Sequence, residues 1–260
     1  MPEEIRTGGS AEEIRLVELD DGLSCWATSE AEARFIHREI FQDDTYRRIE
    51  LPEAPVVVDV GANIGLFTLF VKRLRPAARV IAVEPAPGNL RVLRRNVELH
   101  GLDGVTIHPV GLGARPEDAV PMAFYPRLPG NSTLHPDKHD LQRALMSRQL
   151  GAEQAARLFE AREIPVPVDR LSGLLRTAHP DVTTIDLVKI DVEGAESAVL
   201  AGVDAEDRPR IRALLVEVGG PGGDRQDVER TLRGWGLRVT RHRAPFMWDE
   251  LELYNVLAQR

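Results

Sequence analysis

The stretch V-V-V-D-V-G-A-N-I-G-L-F-T, Val56 to Thr68, decides the reading of this chain. Its first half is a short apolar run of β-branched residues with one acid, Asp59, which suits a strand buried on both faces. Gly61 and Gly65 then bracket a turn, and Leu66-Phe67-Thr68 opens a helix-length segment. Without a Cβ, glycine permits a sharp turn and a close approach of backbone to ligand, and the following helix offers free N–H groups to an anion such as a carboxylate. A second apolar run, R-V-I-A-V-E from Arg79 to Glu84, ends on an acid. Strand, glycine turn, helix, strand and acid together describe a nucleotide-type site at the carboxyl edge of a parallel sheet.

The chemistry of the turn separates two cofactors. Dinucleotide sites use G-x-G-x-x-G, whose middle glycine admits a pyrophosphate. Here the turn is G-A-N-I-G; that glycine is missing, and Asp59 two residues earlier would repel phosphate. S-adenosylmethionine suits it better. Its carboxylate fits the helix start, Asp59 is placed to hold its ammonium, and Asn63 and Thr68 supply neutral hydrogen bonds. Glu84, followed by Pro85, is placed to accept both ribose hydroxyls. The competing reading is an NAD-dependent oxidoreductase on the same kind of sheet.

The rhythm continues outward from this stretch. V-T-I-H-P-V (105–110), T-I-D-L-V-K-I-D-V (184–192) and I-R-A-L-L-V-E-V (211–218) are further core strands separated by helix-length segments, which predicts an α/β fold with helices on both faces. Two end strands, L-R-V-T-R (237–241) and E-L-Y-N-V-L-A (252–258), predict a terminal hairpin around Pro245 to Trp248, after a helix from Asp227 to Trp235. Before the first core strand, Ile14 to Ala27 alternates around Asp21-Gly22 and reads as a hairpin. Ser29 then caps an amphipathic helix with an acidic first turn. Between the third and fourth core strands an interruption from Pro121 to Val168 contains an amphipathic run, Leu141 to Arg162, and predicts a lid or substrate wall. All 260 residues are expected to form one domain, with residues 1–54 as an N-terminal cover.

Composition narrows the partners. A net charge of −8 and a pI near 5.5 speak against a protein that lives on nucleic-acid phosphates and for a small-molecule acceptor. A single cysteine, Cys25, excludes an intramolecular disulfide. No stretch approaches the length of a membrane span, and M-P-E-E-I-R lacks the order of a secretory leader, so a cytoplasmic protein without membrane contact is expected. No compact metal-ligand spacing occurs, so no metal is expected.

The fourth core strand carries the reactive groups. Lys189 on a strand covered on both faces needs partners, because an unpaired buried ammonium is costly. Period two sends Lys189 and Asp191 to one side, with Glu193, Glu196 and Glu217 close by. Methyl transfer to a hydroxyl needs a group that takes its proton. Asp191 is the first candidate; Lys189, Glu217 and the insertion histidines His135 and His139 complete the set. Asn131 and Ser132, in G-N-S-T, are candidate acceptor contacts.

The run Val56 to Thr68, V-E-P at Val83 to Pro85, and D-L-V-K-I-D-V-E-G-A-E from Asp186 to Glu196 resemble the FkbM family of methyltransferases. R-E-I-F-Q-D-D-T-Y before the first core strand is also similar to members that methylate macrolide hydroxyls in natural-product pathways. The resemblance covers roughly residues 34–218. It implies a class I methyltransferase (Rossmann-like) fold, whose seven-stranded sheet ends in an antiparallel hairpin, and O-methylation with S-adenosyl-L-methionine of a polyketide, macrolide or its sugar. One departure is visible: many relatives place a histidine after the fifth-strand glutamate, where this chain has Glu217-Val218-Gly219-Gly220.

Overall fold

A computed structural model of the chain describes residues 13–42, 46, 49–219 and 224–260. Met1 to Arg6, Asp43 to Thr45 and Gly220, which figure in the readings above, lie outside the described residues.

The chain opens with the expected hairpin. Strands β1 (Arg15–Glu18) and β2 (Ser24–Ala27) pair antiparallel through a 3-10 turn over Asp20–Gly22. Gly22 adopts φ +69° there, a conformation glycine reaches at little cost. The helix Glu30–Gln42 follows, and Ser29 Oγ accepts the Glu32 N–H at 3.3 Å as its cap. Hairpin and helix pack through Val17, Leu19, Ala33 and Ile40 onto the main sheet at Val57 and Val80.

The main sheet contains β3 (Val56–Val60), β4 (Arg79–Val83), β5 (Val105–His108), β9 (Leu187–Ile190), β10 (Ala213–Val218), β11 (Arg238–Arg243) and β12 (Tyr254–Gln259). Its order is β11-β12-β10-β9-β3-β4-β5, with only β12 antiparallel to its neighbours. This is the seven-stranded sheet with a terminal hairpin. Alternation is visible along the strands: Val57, Val80, Leu187 and Leu215 pack on one face, and Val58, Ile81, Val188 and Leu214 on the other. From β3 the chain order runs outward to β4 and β5 on one side and resumes at β9 on the other. The crevice for a ligand lies at that reversal, outside the carboxyl ends.

The interruption carries secondary structure of its own. The chain after β5 builds a second sheet from β6 (Gly111–Leu112), β7 (Glu117–Phe124) and β8 (Arg162–Asp169), in the order β6-β8-β7. Both ends of the expected insertion, Pro121 and Val168, therefore sit inside strands. Pro121, Pro165 and Pro167 hid these strands, because proline cannot donate to a ladder and argues against one. Between them lie the helices Asp140–Leu150 and Ala152–Leu158, separated at Gly151 (φ +89°), so the single run read from Leu141 to Arg162 is two helices and the start of β8. The last helix spans Asp224–Gly234, three residues earlier at its start than read. Among the described residues no helix is long and apolar enough to cross a membrane.

Candidate active site

A cavity of about 850 Å³ opens at the carboxyl ends of β3, β4, β9 and β10. That is toward the upper end of the roughly 300–1,000 Å³ of small-ligand sites. The turn after β3 forms one wall. Gly61 (φ +78°) is required there by the protein itself: a Cβ would stand 1.8 Å from the Asp191 carbonyl oxygen. Gly65 (φ +90°) sits at the start of the helix Leu66–Leu74, with the Leu93 side chain 2.6 Å from its Cβ position. Asn63, also at positive φ, donates its N–H to Glu84 Oε2 at 2.9 Å, while its own Oδ1 is buried with no hydrogen-bond partner among the described residues. A ligand's hydroxyl or ammonium would satisfy that oxygen.

Glu84 faces the cavity but also holds the turn. Its Oε1 accepts from Ala86 N at 2.9 Å and Asn89 Nδ2 at 3.4 Å, which leaves acceptor capacity chiefly on Oε2. The symmetrical double contact with a ribose read from the sequence is thus already half taken. Burial pushes its carboxyl up to about 7 in spite of these donors. Pro85 lines the same lobe.

Asp59 and Thr68 do not line the cavity. Asp59 is wholly buried and accepts from Thr68 Oγ1 at 2.8 Å, and its other oxygen lies 3.4 Å from Lys189 Nζ. They lie behind the wall, so a contact from Asp59 to the cofactor's ammonium would run through a water or the ordered backbone of the turn. Lys189 is the centre of a brace there. Its ammonium donates to Gly61 O at 2.9 Å and pairs with Asp191 at 3.2 Å as well as Asp59. One hydrogen bond and two ion pairs thus surround the ammonium. Burial alone would loosen its proton, but Asp191 and Asp59 more than reverse this and hold it charged. The acidic partners expected for a buried lysine on this strand are therefore present as Asp59 and Asp191.

The opposite wall is acidic. Asp191, Glu193, Glu196 and Glu217 converge there. Glu193 adopts φ +56°, which costs an ordinary residue roughly 1–2 kcal/mol. Two contacts hold it in place: Thr133 Oγ1 donates to its carbonyl at 2.6 Å, and His139 Nε2 lies 3.3 Å from its carboxylate. Glu196, accepting from Gly194 N at 2.8 Å, is pushed up to about 7 by burial. Glu217 is raised well above the ordinary range, first by burial and then by Asp191, Glu39 and Glu193.

The two insertion histidines part company. His139 is buried and lines the cavity; His135 is exposed and does not. Four residues apart would share a face on an α-helix, but Pro136–His139 is a 3-10 turn, where about 120° per residue separates them. Of the two, only His139 is thus brought to the cavity. Asn131 and Ser132 do line the cavity, although Asn131 already donates to Gln142 at 2.9 Å and Ser132 Oγ accepts from Tyr125 N at 3.2 Å.

Sequence reasoning missed what the N-terminal helix contributes. Glu32, Phe35 and Glu39 line the cavity, and Glu32 Oε1 accepts the Gly130 N–H at 2.8 Å across it. Burial pushes Glu32 up to about 8, despite that hydrogen bond. Its acidic first turn reads as helix-dipole chemistry, which concealed the role. Asn89, bridging Glu84 and Pro129 O at 3.2 Å, was also missed.

Known proteins are similar to this chain. Residues 59–254 match the family model described as the Methyltransferase FkbM domain. The chain is 41% identical over 247 residues to "Methyltransferase sdnD" of Sordaria araneosa, covering 92% of this chain and 95% of that one. It is 36% identical over 260 residues to "31-O-demethyl-FK506 methyltransferase FkbM" of Streptomyces tacrolimicus, covering 95% and 97%. Among solved structures, the methyltransferase FkbM of Methylobacillus flagellatus superposes with a TM-score of 0.53 at 15% identity, over 82% of this chain and 45% of that one, which supports the fold. With the glycine turn, the acid-ended second strand and the seven-stranded order all in place, the chain belongs to the FkbM family of S-adenosylmethionine-dependent methyltransferases.

Proposed function

We propose that this methyltransferase methylates a hydroxyl oxygen of a small secondary metabolite, such as a polyketide or macrolide or a sugar on one. The cavity carries this reading. It is walled by the N-terminal helix and the insertion, and lined by carboxylates and by the apolar Phe35, Met247, Leu251 and Leu253. Such walls suit a compact, largely apolar molecule with hydroxyls. They disfavour a phosphate backbone, as does the net charge of −8. The Streptomyces relative is named for a methyltransfer at an oxygen of a macrolide, which agrees with this class. The NAD-dependent alternative is not favoured by the family match.

In this reading Gly61, Asn63, Gly65, Glu84 and Pro85 surround the methyl donor, and Asn131 and Ser132 face the acceptor. The donor supplies an electrophilic methyl group on a positively charged sulfur. The protein's part is to fix the acceptor oxygen in line with that methyl, to exclude water and to receive a proton. Asp191, ion-paired to Lys189, borders the place where the two ligands meet. Calorimetry with S-adenosylmethionine and NAD, followed by incubation with isotope-labelled methyl donor and a panel of hydroxylated macrolides and glycosides, tests the reading. Label recovered in a methyl ether supports it. Binding of NAD alone, or label found only on nitrogen or carbon of acceptors that also carry free hydroxyls, would refute it.

A further inference from the structure

Glu217 ends β10 at the carboxyl edge of the sheet. The β9–β10 register pairs Leu215 with Lys189 and Val216 with Ile190, which brings Glu217 level with Asp191. Its side chain lines the cavity and makes no hydrogen bond or ion pair to another described residue. The groups around it offer little relief. Asp191 and Glu193 approach from β9 and the loop after it, and Glu39 from the N-terminal helix. Lys189 is near but already divided between Asp59 and Asp191. Opposite Glu217 on β12 stands Asn255, a neutral, fully buried side chain with neither amide atom hydrogen-bonded.

We infer that Glu217 receives the proton of the acceptor hydroxyl, and that the positive charge of the bound methyl donor is what frees its carboxylate to do so. The inference rests on the methyl-transfer reading above. Asp191 has its charge matched by Lys189; among the described residues Glu217 has no cation of its own. Burial and three neighbouring acids favour its protonated form, and a cation entering the cavity favours the ionised one. The donor's sulfonium is such a cation. In the transfer, a lone pair of the hydroxyl oxygen forms the bond to the methyl carbon, the electron pair of the carbon–sulfur bond returns to sulfur, and the O–H proton passes to Glu217. One positive and one negative charge disappear together, leaving a neutral thioether, a methyl ether and protonated Glu217. Release of the thioether leaves Glu217 protonated until the next sulfonium arrives.

S-adenosylmethionine and S-adenosylhomocysteine differ by one methyl and by the charge on sulfur, so the pair isolates the effect without any acceptor. Calorimetry on the whole chain near neutral pH, in two buffers of different ionisation enthalpy, counts the protons released by each. The wild type should release more with the sulfonium than with the thioether, by up to about one proton per site. Glu217→Gln should show a smaller excess than the wild type while still binding both ligands. Glu32, Glu84 and Glu196 also respond to a cation and remain in the variant as background. In parallel, the infrared band of protonated carboxyl in glutamate-labelled wild type should weaken on adding the sulfonium, and Glu217→Leu should show a smaller change. An equal excess in wild type and variant, no excess in wild type, or an infrared band that does not move overturns the inference. Failure of the wild type to bind S-adenosylmethionine overturns the methyl-transfer reading instead.

Discussion

Replacing Lys189 with methionine keeps most of the side chain's bulk and removes the one cation between Asp59 and Asp191. Asp59 has no exposed surface, and among the described residues Thr68 is the hydrogen-bond donor that remains to it without Lys189. Removing one partner of a buried ion pair costs about 3–5 kcal/mol. The pair here is buried at both ends on the β3–β9 side, although Asp191 retains some contact with the cavity. Against a total stability of roughly 5–15 kcal/mol the loss is large. At about 2–4 °C per kcal/mol for a chain of this order of size, Lys189→Met should melt roughly 6–20 °C below wild type by scanning calorimetry. The mechanism makes a sharper demand. If the damage is the stranded charge of Asp59, then Asp59→Asn in the Lys189→Met background should recover much of the lost stability, whereas the same change alone should destabilise. A Lys189→Met protein within about 1 kcal/mol of wild type, or a double variant worse than both single variants, would refute the account of Lys189 as a brace.

Gly61→Ala and Gly65→Ala should differ although both glycines have positive φ. The first drives a Cβ into backbone at Asp191 and should fail to give stable protein, while the second meets the movable Leu93 side chain and should lose about 1–3 kcal/mol in denaturant titration. Glu84→Ala should weaken S-adenosylmethionine binding by about 1.5–3 kcal/mol in calorimetry and also lower the melting temperature, because two backbone N–H groups lose their acceptor. For the wild type, ionisation of Glu84 and Glu196 near pH 7 should strengthen binding of this cationic ligand as pH rises through about 7. The folded-state values lie above the ordinary carboxyl value of 4.5, so the same two groups make the ligand-free protein lose stability as pH climbs from 4.5 to about 7. Flat affinity and stability across that window would contradict the shifts. His139→Ala should lower turnover and stability together, since Glu193 loses its buried partner, whereas His135→Ala should leave both within experimental error.

Local chemistry in the chain was enough for the frame. Apolar β-branched runs, the glycine pair and the alternation of strand with helix lengths are short-range signals, and they announced the parallel core, the turn after β3, the acid closing β4 and the terminal hairpin. The D-L-V-K-I-D-V run likewise announced that Lys189 would need acids beside it, because burial of a lone ammonium is costly wherever the strand lies. What escaped was set by tertiary geometry. Prolines masked β7 and β8, whose pairing is non-local and overrides the local preference. Spacing could not tell that Asp59 and Thr68 would turn away from the cavity, nor that a 3-10 turn would send His139 inward and His135 to the surface. Glu32 reaches Gly130 over 98 positions of chain, a contact with no trace in either segment's own pattern. Periodicity states which residues share a face of one element; only packing of several elements around a common void decides which face meets a ligand, and which carboxylate there is left without a cation.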